Sequence, residues 1–274
     1  MKDFKIATCQ MNVVDNKDTN IEHAIQLIKK ASSNGAKLIT LPEMFNTPYD
    51  NSKFIEYCEE ETTSKTLNSM RDIAREENIY LQSGSIPEKE SNHLYNTAYL
   101  INPKGKIIGK HRKMHMFDID TDNMKFTESD TLTPGDSVTT IKTPLANISI
   151  AICYDIRFPE LWTLMNKNNT DIILLPGAFN KTTGPLHWET LIKARAIDNQ
   201  CYVVATSPSQ IENPYYVAWG HSMIVNPWGK IIAKAHENEE ILYANITQSS
   251  LNSVRNQIPV LTNRRNDIYD TILK

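Results

Sequence analysis

The chain has 274 residues, of which 40% are hydrophobic and 22% are charged, and its formal net charge is -3. This length suits one large hydrophobic core, and the slight negative charge gives no reason to expect a nucleic-acid partner, because nucleic-acid-binding proteins usually carry a basic surface. The N-terminal segment lacks the apolar core of a signal peptide and no apolar run reaches the roughly 18 residues that span a bilayer, so we expect a cytoplasmic protein.

Six short apolar segments, each bounded by polar or turn-forming residues, predict buried β-strands. They cover residues 4–13, 37–42, 79–85, 148–154, 171–176 and 201–207. After the first segment, apolar residues at helical spacing predict an amphipathic helix with Asp18 or Thr19 as its N-cap and Gly35 as its C-terminal stop. A second helix is predicted over residues 187–200.

Two copies of the motif Asn-Pro-x-Gly-Lys-Ile-Ile, at residues 102–108 and 226–232, lie between apolar runs and predict β-hairpins. Proline presets the backbone φ angle at such a turn, and glycine permits a positive φ. Strands that alternate with helices and are interrupted by hairpins predict an α/β protein with one mixed sheet or two sheets covered by helices. Because no linker-like or low-complexity stretch divides the chain, we predict one domain over residues 1–274.

Three chemically capable side chains stand at the ends of predicted strands, where a rigid element can position a reactive group. Glu43 follows a strand that ends in Leu-Pro, Lys113 lies in the most basic short stretch, and Cys153 ends the run Ile-Ser-Ile-Ala-Ile-Cys. A helix predicted to begin near Ile156 would lower the pKa of the Cys153 thiol. Each residue also has a plain structural interpretation, as a surface acid, a solvated loop lysine or a small buried side chain.

The other cysteines and the histidines give weaker signals. Cys9 and Cys201 lie inside predicted strands and Cys58 lies in a charged helical stretch, so we interpret all three as structural, reduced thiols. Seven histidines leave a Cys-His catalytic pair without support, since spacing cannot choose among them. The chain has no HExxH motif, no zinc-type cysteine pair and no glycine-rich phosphate loop, so neither a metal nor a nucleotide cofactor is expected.

Taken together, Glu43, Lys113 and Cys153 resemble the Glu-Lys-Cys triad of the nitrilase (carbon-nitrogen hydrolase) superfamily. Six ordered segments are similar to blocks of its omega-amidase branch, namely LPEMFNTPY, RKMHMFDID, FTESDTLTPGD, ICYDIRFPEL, the long block from LLPGAFN to VVATSPS, and VAWGHSMIVNPWGK. The resemblance extends from about residue 4 to residue 270. It implies a four-layer α-β-β-α sandwich, and a homodimer or larger homo-oligomer that pairs through helices near the active-site cysteine.

The same resemblance implies hydrolysis of the terminal amide of 2-oxo-dicarboxylic acid monoamides through a cysteine thioester. Cys153 would be the nucleophile, Glu43 the proton carrier, and Lys113 with the backbone N–H of Tyr154 the oxyanion stabiliser. A second glutamate, Glu128, would orient Lys113 or the substrate amide through a charge-assisted hydrogen bond. This chemistry requires no metal and no organic cofactor.

A 2-oxo-dicarboxylic acid monoamide also needs a cation for its far carboxylate. Arg157 offers a planar guanidinium four residues after the nucleophile, although it could instead bind Asp155 or a dimer partner. Tyr49 and Phe179 are the other predicted substrate-binding residues. Alternative activities on the same triad are hydrolysis of deaminated glutathione, of N-carbamoyl compounds or of nitriles. Two alternatives lie outside hydrolysis: an amide-forming acyltransferase and a non-catalytic dimeric binding protein.

Overall fold

The computed structural model describes residues 1–121 and 124–274, and its framework is a pair of six-stranded β-sheets packed face to face. The strands are β1 (Phe4–Gln10), β2 (Leu38–Thr40), β3 (Tyr80–Glu90), β4 (His93–Ile101), β5 (Ile107–Arg112), β6 (Asp118–Thr121), β7 (Met124–Thr127), β8 (Thr140–Lys142), β9 (Asn147–Ile150), β10 (Ile172–Pro176), β11 (Tyr202–Thr206), β12 (Met223–Val225), β13 (Ile231–Lys234) and β14 (Glu240–Ile246). The helices are α1 (Lys17–Ser33), α2 (Asn51–Tyr57), α3 (Lys65–Glu76), α4 (Pro159–Lys167), α5 (Glu189–Asn199) and α6 (Gln248–Gln257).

The two sheets have similar layouts. Their strand orders are β14-β1-β2-β3-β4-β5 and β13-β12-β11-β10-β9-β8. In each sheet three central strands are parallel, β1 to β3 in the first and β9 to β11 in the second, and the flanking strands pair antiparallel. β6 and β7 form a separate hairpin. The two predicted hairpins are confirmed, because the Asn-Pro-x-Gly turns join β4 to β5 and β12 to β13.

Apolar side chains from both sheets form the central core. Ile6 of β1 and Ile150 of β9 are fully buried in the same cluster. Helices α1 and α3 cover the outer face of the first sheet with residues such as Ile28, and α4 and α5 cover the second with residues such as Trp162. Burying one large aliphatic or aromatic side chain contributes roughly 1.5–3 kcal/mol, so these layers stabilise one another. The predicted α-β-β-α sandwich is confirmed.

Two helix boundaries differ from the prediction. Asn16, and not Asp18 or Thr19, is the N-cap of α1, because its side-chain oxygen accepts the backbone N–H of Thr19 at 2.9 Å. Gly35 ends this helix as predicted, with a φ of +87° that favours glycine. The second predicted helix begins as a π-helical turn at Gly184–Trp188 before α5. Within the described residues, none of the helices has the length and apolarity to cross a lipid bilayer.

The carboxyl ends of the parallel strands in both sheets lie along one edge of the sandwich. Thr40 at the end of β2 and Thr206 at the end of β11 share a hydrogen bond of 2.7 Å between their hydroxyl oxygens across the sheet interface. β5 runs parallel to β3, since each pairs antiparallel with β4. The loops after β2, β5, β9 and β10 therefore begin at the edge where α/β sheets commonly bind ligands.

Candidate active site

The three strand-end candidates meet at this edge. Glu43 follows β2 and Lys113 follows β5 in the first sheet, whereas Cys153 follows β9 in the second, so the site spans the interface between the sheets. All three are buried, with 1%, 0% and 3% of their surface exposed respectively. Glutamate and lysine are almost never fully buried without partners, so the contacts of these side chains indicate their chemistry.

Lys113 is held between two carboxylates. Its Nζ lies 3.1 Å from Glu43 Oε1, 2.8 Å from Glu128 Oε2 and 3.2 Å from the hydroxyl oxygen of Tyr49. Burial by itself lowers the pKa of Lys113, but the negative charges of Glu128 and Glu43 outweigh burial and raise this pKa well above its ordinary value. Lys113 is therefore a permanent buried cation, which suits it to stabilise a negative charge that forms next to it.

Glu43 has one engaged and one free carboxylate oxygen. Oε1 accepts hydrogen bonds from Lys113 Nζ and from Asn96 Nδ2 at 2.8 Å, whereas Oε2 is buried and has no partner among the described residues. The Glu43 carboxylate and the Cys153 thiol are close enough for each to shift the pKa of the other. Burial raises the pKa of Glu43; Lys113 opposes this and Glu128 adds to it, which leaves the pKa above its ordinary value. A carboxylate of raised basicity beside a thiol can act as a general base.

Glu128 completes the ion cluster from outside the main sheets. It lies in a short 3₁₀ helix, Glu128–Asp130, directly after β7, and its side chain is fully buried. Both oxygens bind Lys113 Nζ; Oε2 also accepts the backbone N–H of Phe117 at 2.6 Å, and Oε1 accepts the Tyr49 hydroxyl at 3.1 Å. Glu128 thus accepts hydrogen bonds from three different donors, one of which is Lys113, and these bonds fix the position of the lysine side chain. Tyr49 belongs to the same hydrogen-bond network.

The backbone at Cys153 adopts a strained conformation. Its φ is +45°, which L-residues other than glycine seldom adopt, and it begins a short 3₁₀ helix that spans Cys153–Arg157. Tyr154 follows in the first turn of this helix, where N–H groups have no intrahelical acceptor, so its amide is available to an oxyanion. Neighbouring Gly177 leaves little room, because a Cβ there would lie 3.4 Å from Cys153 Cα and 3.0 Å from the Trp188 ring.

The thiol of Cys153 is protonated at rest. Burial raises its pKa well above the ordinary value, and the Glu43 carboxylate raises it further, while Lys113 and the backbone N–H of Ala178 only partly oppose them. The prediction that a helix beginning near Ile156 lowers this pKa is therefore wrong, because the short helix starts at Cys153 itself and burial outweighs it. The thiol needs a base to become a nucleophile.

The family model for Carbon-nitrogen hydrolase matches residues 5–256. This chain belongs to the carbon-nitrogen hydrolase family. "Nitrilase homolog 2" of Dictyostelium discoideum is 47% identical to it over 278 residues, which cover 100% of this chain and 84% of that protein. "Omega-amidase NIT2" of Xenopus tropicalis is 46% identical over 98% of each chain. The crystal structure of Saccharomyces cerevisiae Nit3, a member of branch 10 of the nitrilase superfamily, superimposes with a TM-score of 0.89 at 38% identity over 96% of this chain and 97% of that one.

The resemblance of the sequence to the nitrilase superfamily and its omega-amidase branch is thus confirmed, and the protein is an enzyme that hydrolyses carbon-nitrogen bonds. The four ionisable groups of the site lie in the matched region. Within residues 1–121 and 124–274, no three His, Cys, Asp or Glu side chains are grouped in the way that would hold a metal ion. The individual roles of the site residues remain predictions, which the geometry above supports.

Arg157 lies beside Phe179 and Tyr154, two other residues predicted for the site. Its guanidinium carbon lies 5.0 Å from the centre of the Phe179 ring and 5.5 Å from that of Tyr154, and Nη1 is 3.2 Å from His187 Nδ1. Arg157 Nε is buried without a hydrogen-bond partner among the described residues. The alternative pairing of Arg157 with Asp155 is not found there, and an unpaired buried donor favours an anionic ligand at this position.

A hairpin packs beside the ion cluster. The β6–β7 hairpin brings Met124 and Phe126 against a buried apolar group that contains Tyr49, Phe54 and Tyr216. Phe126 and Tyr49 have ring centres 5.8 Å apart. The hairpin therefore packs against Tyr49, whose hydroxyl contacts Lys113 and Glu128.

Two polar residues of the site have no signal in the sequence. Asn96 lies in the middle of β4 and donates to Glu43, and an asparagine inside an apolar strand pattern does not indicate what it contacts. The Tyr216 hydroxyl donates to the carbonyl of Ala178, whose own N–H faces the Cys153 thiol. Both contacts join loops or strands far apart in sequence, so only an alignment of relatives or a structure could have found them.

Proposed function

We propose that this carbon-nitrogen hydrolase is an omega-amidase that converts 2-oxoglutaramate or 2-oxosuccinamate to the dicarboxylic acid and ammonia. The observation that carries the proposal is the buried cluster of Glu43, Lys113, Glu128 and Cys153. Beside the nucleophile turn lies Arg157, whose Nε is buried without a hydrogen-bond partner among the described residues. The similarity along the whole chain to proteins named omega-amidases supports the substrate class.

The reaction begins with transfer of the thiol proton to Glu43. As the proton moves from Cys153 Sγ to the free Oε2 of Glu43, the sulfur attacks the amide carbon and a C–S bond forms. The carbonyl π electrons move to oxygen, which becomes an oxyanion beside Lys113 Nζ and the N–H of Tyr154. The fixed ammonium is already in place, so stabilising this charge requires little reorganisation.

The tetrahedral intermediate then loses ammonia. Glu43 gives its proton to the amide nitrogen, the C–N bond breaks, and a thioester remains on Cys153 while Glu43 is again a carboxylate. Water enters, Glu43 takes one of its protons, and the hydroxide adds to the thioester carbon. Collapse of the second intermediate breaks the C–S bond, releases the carboxylic acid, and returns the proton from Glu43 to the sulfur.

Arg157, Phe179 and Tyr49 are the proposed substrate-binding residues. The Arg157 guanidinium would bind the far carboxylate in a bidentate manner, which fits the planar fork of arginine. Phe179 lies against the same guanidinium and would contact the carbon chain of the substrate. Tyr49 touches both Lys113 and Glu128 and would border the amide end.

The test combines adduct trapping with product release. The enzyme is mixed with 2-oxoglutaramate, deaminated glutathione, an N-carbamoyl amino acid and a nitrile, quenched in acid, and analysed by intact mass, while ammonia is measured in parallel. We expect an acyl adduct on Cys153 and fast ammonia release with 2-oxoglutaramate, and neither with Cys153→Ala. Preferred turnover of another compound would replace the substrate assignment, and no adduct with any of them would favour a non-catalytic binding protein.

The chain also pairs with a second copy through the helical layer of α4 and α5. Ile197 on α5 is 50% exposed, and Trp228 beside it is 40% exposed. A Cβ at Gly229 would come within 2.6 Å of Ile197, so the turn that carries Trp228 lies against α5. Light scattering should give a multiple of 31.2 kDa for the native chain and a lower mass for Ile197→Asp. A single-chain mass for the native protein would contradict the pairing.

A cytoplasmic location is the remaining part of the proposal. All four cysteines are free, and disulfides are rare in reducing compartments. Cell fractionation with an antibody to the protein would place it, and recovery in an oxidising compartment would contradict this location.

A further inference from the structure

Asp155, two residues after the proposed nucleophile, has a buried carboxylate with an unusual set of partners. Oδ1 accepts the backbone N–H of Met114 at 3.2 Å, the backbone N–H of His115 at 3.0 Å and His115 Nδ1 at 2.7 Å. Oδ2 accepts His111 Nε2 at 3.2 Å and the backbone N–H of Ile152 at 3.0 Å. The side chain is fully buried, so it belongs to the interior of the protein and not to its surface.

The carboxylate is ionised and therefore accepts all of these bonds. Burial by itself raises the pKa of Asp155, but the hydrogen bonds from His111 and His115 outweigh burial and hold this pKa far below its ordinary value. Because an ionised carboxylate has no proton to donate, the ring nitrogens of both histidines that face it carry hydrogen. Charge-assisted hydrogen bonds of this kind are about twice as strong as neutral ones.

These bonds connect the two halves of the active site. His111 lies in β5 and His115 three residues beyond its end, so Asp155 is bonded on both sides of Lys113. On its own side, Asp155 accepts the N–H of Ile152 and donates its backbone N–H to the Ile152 carbonyl at 3.0 Å. This reciprocal pair closes the turn that contains Cys153 and holds that residue at its positive φ.

We propose that Asp155 is a positioning residue that sets the separation between Lys113 and Cys153, and so deepens the function proposed above, on which it rests. Lys113 belongs to the first sheet and Cys153 to the second, and the core between the sheets is mostly apolar. Apolar contacts are not directional, so they do not fix the orientation of an ammonium towards a sulfur. The Asp155 carboxylate supplies directional bonds to both segments.

The first test compares Asp155→Asn with Asp171→Asn. Asp171 is a matched control, since it is a buried carboxylate at the other end of the second sheet that accepts the backbone N–H of Asn147 at 3.0 Å and a bond from Arg255. The side-chain amide of Asp155→Asn would turn its NH₂ group towards an N–H donor, and two donors cannot form a hydrogen bond. The hydrogen bonds to the segment that contains Lys113 are therefore weakened. Each variant is checked by thermal unfolding before it is assayed.

Three quantities are measured for each folded variant. They are kcat, KM for 2-oxoglutaramate, and the rate of alkylation of Cys153 by iodoacetamide as a function of pH. For Asp155→Asn we expect kcat to fall about 10- to 100-fold with KM changed less than about threefold, because small displacements of catalytic groups cost this much. Alkylation should become slower and need higher pH, because a displaced Lys113 stabilises the thiolate less. Asp171→Asn should lower the unfolding temperature and leave the other quantities unchanged.

Equal kcat and alkylation rates in the native enzyme and folded Asp155→Asn would overturn the proposal. So would a parallel loss of activity in the Asp155 and Asp171 variants, since that result would reflect stability alone. Iodoacetamide is neutral and does not resemble the substrate. If the native enzyme fails to hydrolyse 2-oxoglutaramate, the function proposed above fails, while the alkylation comparison still decides the role of Asp155.

A second variant keeps the test decisive if Asp155→Asn does not fold. His115 has 28% of its side chain exposed, so His115→Ala removes one bond to Asp155 at moderate structural cost. His23→Ala is its control, because His23 is 30% exposed and lies 2.6 Å from the Glu239 carboxylate, away from the site. We expect His115→Ala to lower kcat and alkylation about 3- to 10-fold and His23→Ala to change neither. Unchanged rates in His115→Ala would refute the positioning role.

Discussion

Replacing Glu128 by glutamine is the sharpest test of how the ion cluster works. Glu128 accepts from Lys113, from the backbone N–H of Phe117 and from the Tyr49 hydroxyl, all inside the protein. The amide of Glu128→Gln keeps one acceptor oxygen, and because both oxygens of Glu128 contact Lys113, its NH₂ group must face the Lys113 ammonium together with either the Phe117 amide or the Tyr49 hydroxyl. One charged hydrogen bond is worth about 1.5–3 kcal/mol, so kcat/KM should fall about 10- to 150-fold if it is lost from the transition state.

The same variant should move the acid limb of the pH profile to lower pH. Glu43 must be ionised to accept the thiol proton, and Glu128 contributes to the raised pKa of Glu43, so removing that charge lowers the acid limb. Lys113 gives no alkaline limb in the native enzyme, because the charges of Glu128 and Glu43 outweigh burial and raise its pKa well above its ordinary value. The profile of kcat/KM against pH reports these groups in the free enzyme.

The assay is ammonia release from 2-oxoglutaramate at low substrate concentration across the pH range in which the enzyme stays folded. Glu88→Gln is the matched control, because Glu88 is 1% exposed and accepts two hydrogen bonds of 2.9 Å from Arg112, the residue directly before Lys113. Its profile should keep the native shape. A native profile for Glu128→Gln, or an upward shift of its acid limb, would refute this account of the cluster.

Further predictions concern the substrate, the packing and the acid stability. Arg157→Ala should raise KM for 2-oxoglutaramate about 10- to 100-fold with a smaller effect on kcat, while hydrolysis of an uncharged amide should be unchanged; equal effects on both substrates would contradict its binding role. Gly177→Ala should destabilise the protein by about 1–3 kcal/mol in denaturant unfolding, since its Cβ would press on Trp188 3.0 Å away, and an unchanged midpoint would show that the ring moves freely. The pKa of Glu88 is lowered in the folded state, because bonds from Arg112 and Lys110 outweigh burial, so its stabilisation is present above the unfolded pKa and is lost as pH falls through the folded one. Glu88→Gln should therefore flatten the loss of thermal stability on acidification, and an equally steep loss would contradict this assignment.

The fold follows from local patterns to a large extent. Buried strands show as short apolar runs, and the two Asn-Pro-x-Gly turns predict their hairpins because proline and glycine restrict the backbone at defined positions. The N-cap of α1 is predicted wrongly as Asp18 or Thr19, because Asn16 has an equally capable side chain and only the geometry selects it. Helix ends depend on one hydrogen bond, whereas a strand depends on several buried residues.

The site could be predicted as a set of strand ends but not as an electrostatic environment. Glu43, Lys113 and Cys153 stand out because strand ends present reactive groups, and the resemblance to a family adds Glu128. The shift of the thiol pKa is predicted with the wrong sign, because its direction depends on burial and on the charge of Glu43, which is distant in sequence. The partners of Asp155 could not be seen either, since His111 and His115 carry no mark that distinguishes them from the other histidines.

The resting pKa values explain why a glutamate, and not a histidine, suits this cysteine. Both the Cys153 thiol and the Glu43 carboxyl have raised pKa values, so the thiol stays protonated while the carboxylate is more basic than usual. A preformed thiolate would react with many electrophiles, whereas in the proposed mechanism the proton moves only as the sulfur attacks a carbonyl whose oxygen lies beside Lys113. In that mechanism Glu43 then holds the proton next to the leaving nitrogen, so the residue that activates the nucleophile also completes the departure of ammonia. Lys113 stays charged in every proposed step, and for this reason the proposal makes the rate depend on the separation between Lys113 and Cys153.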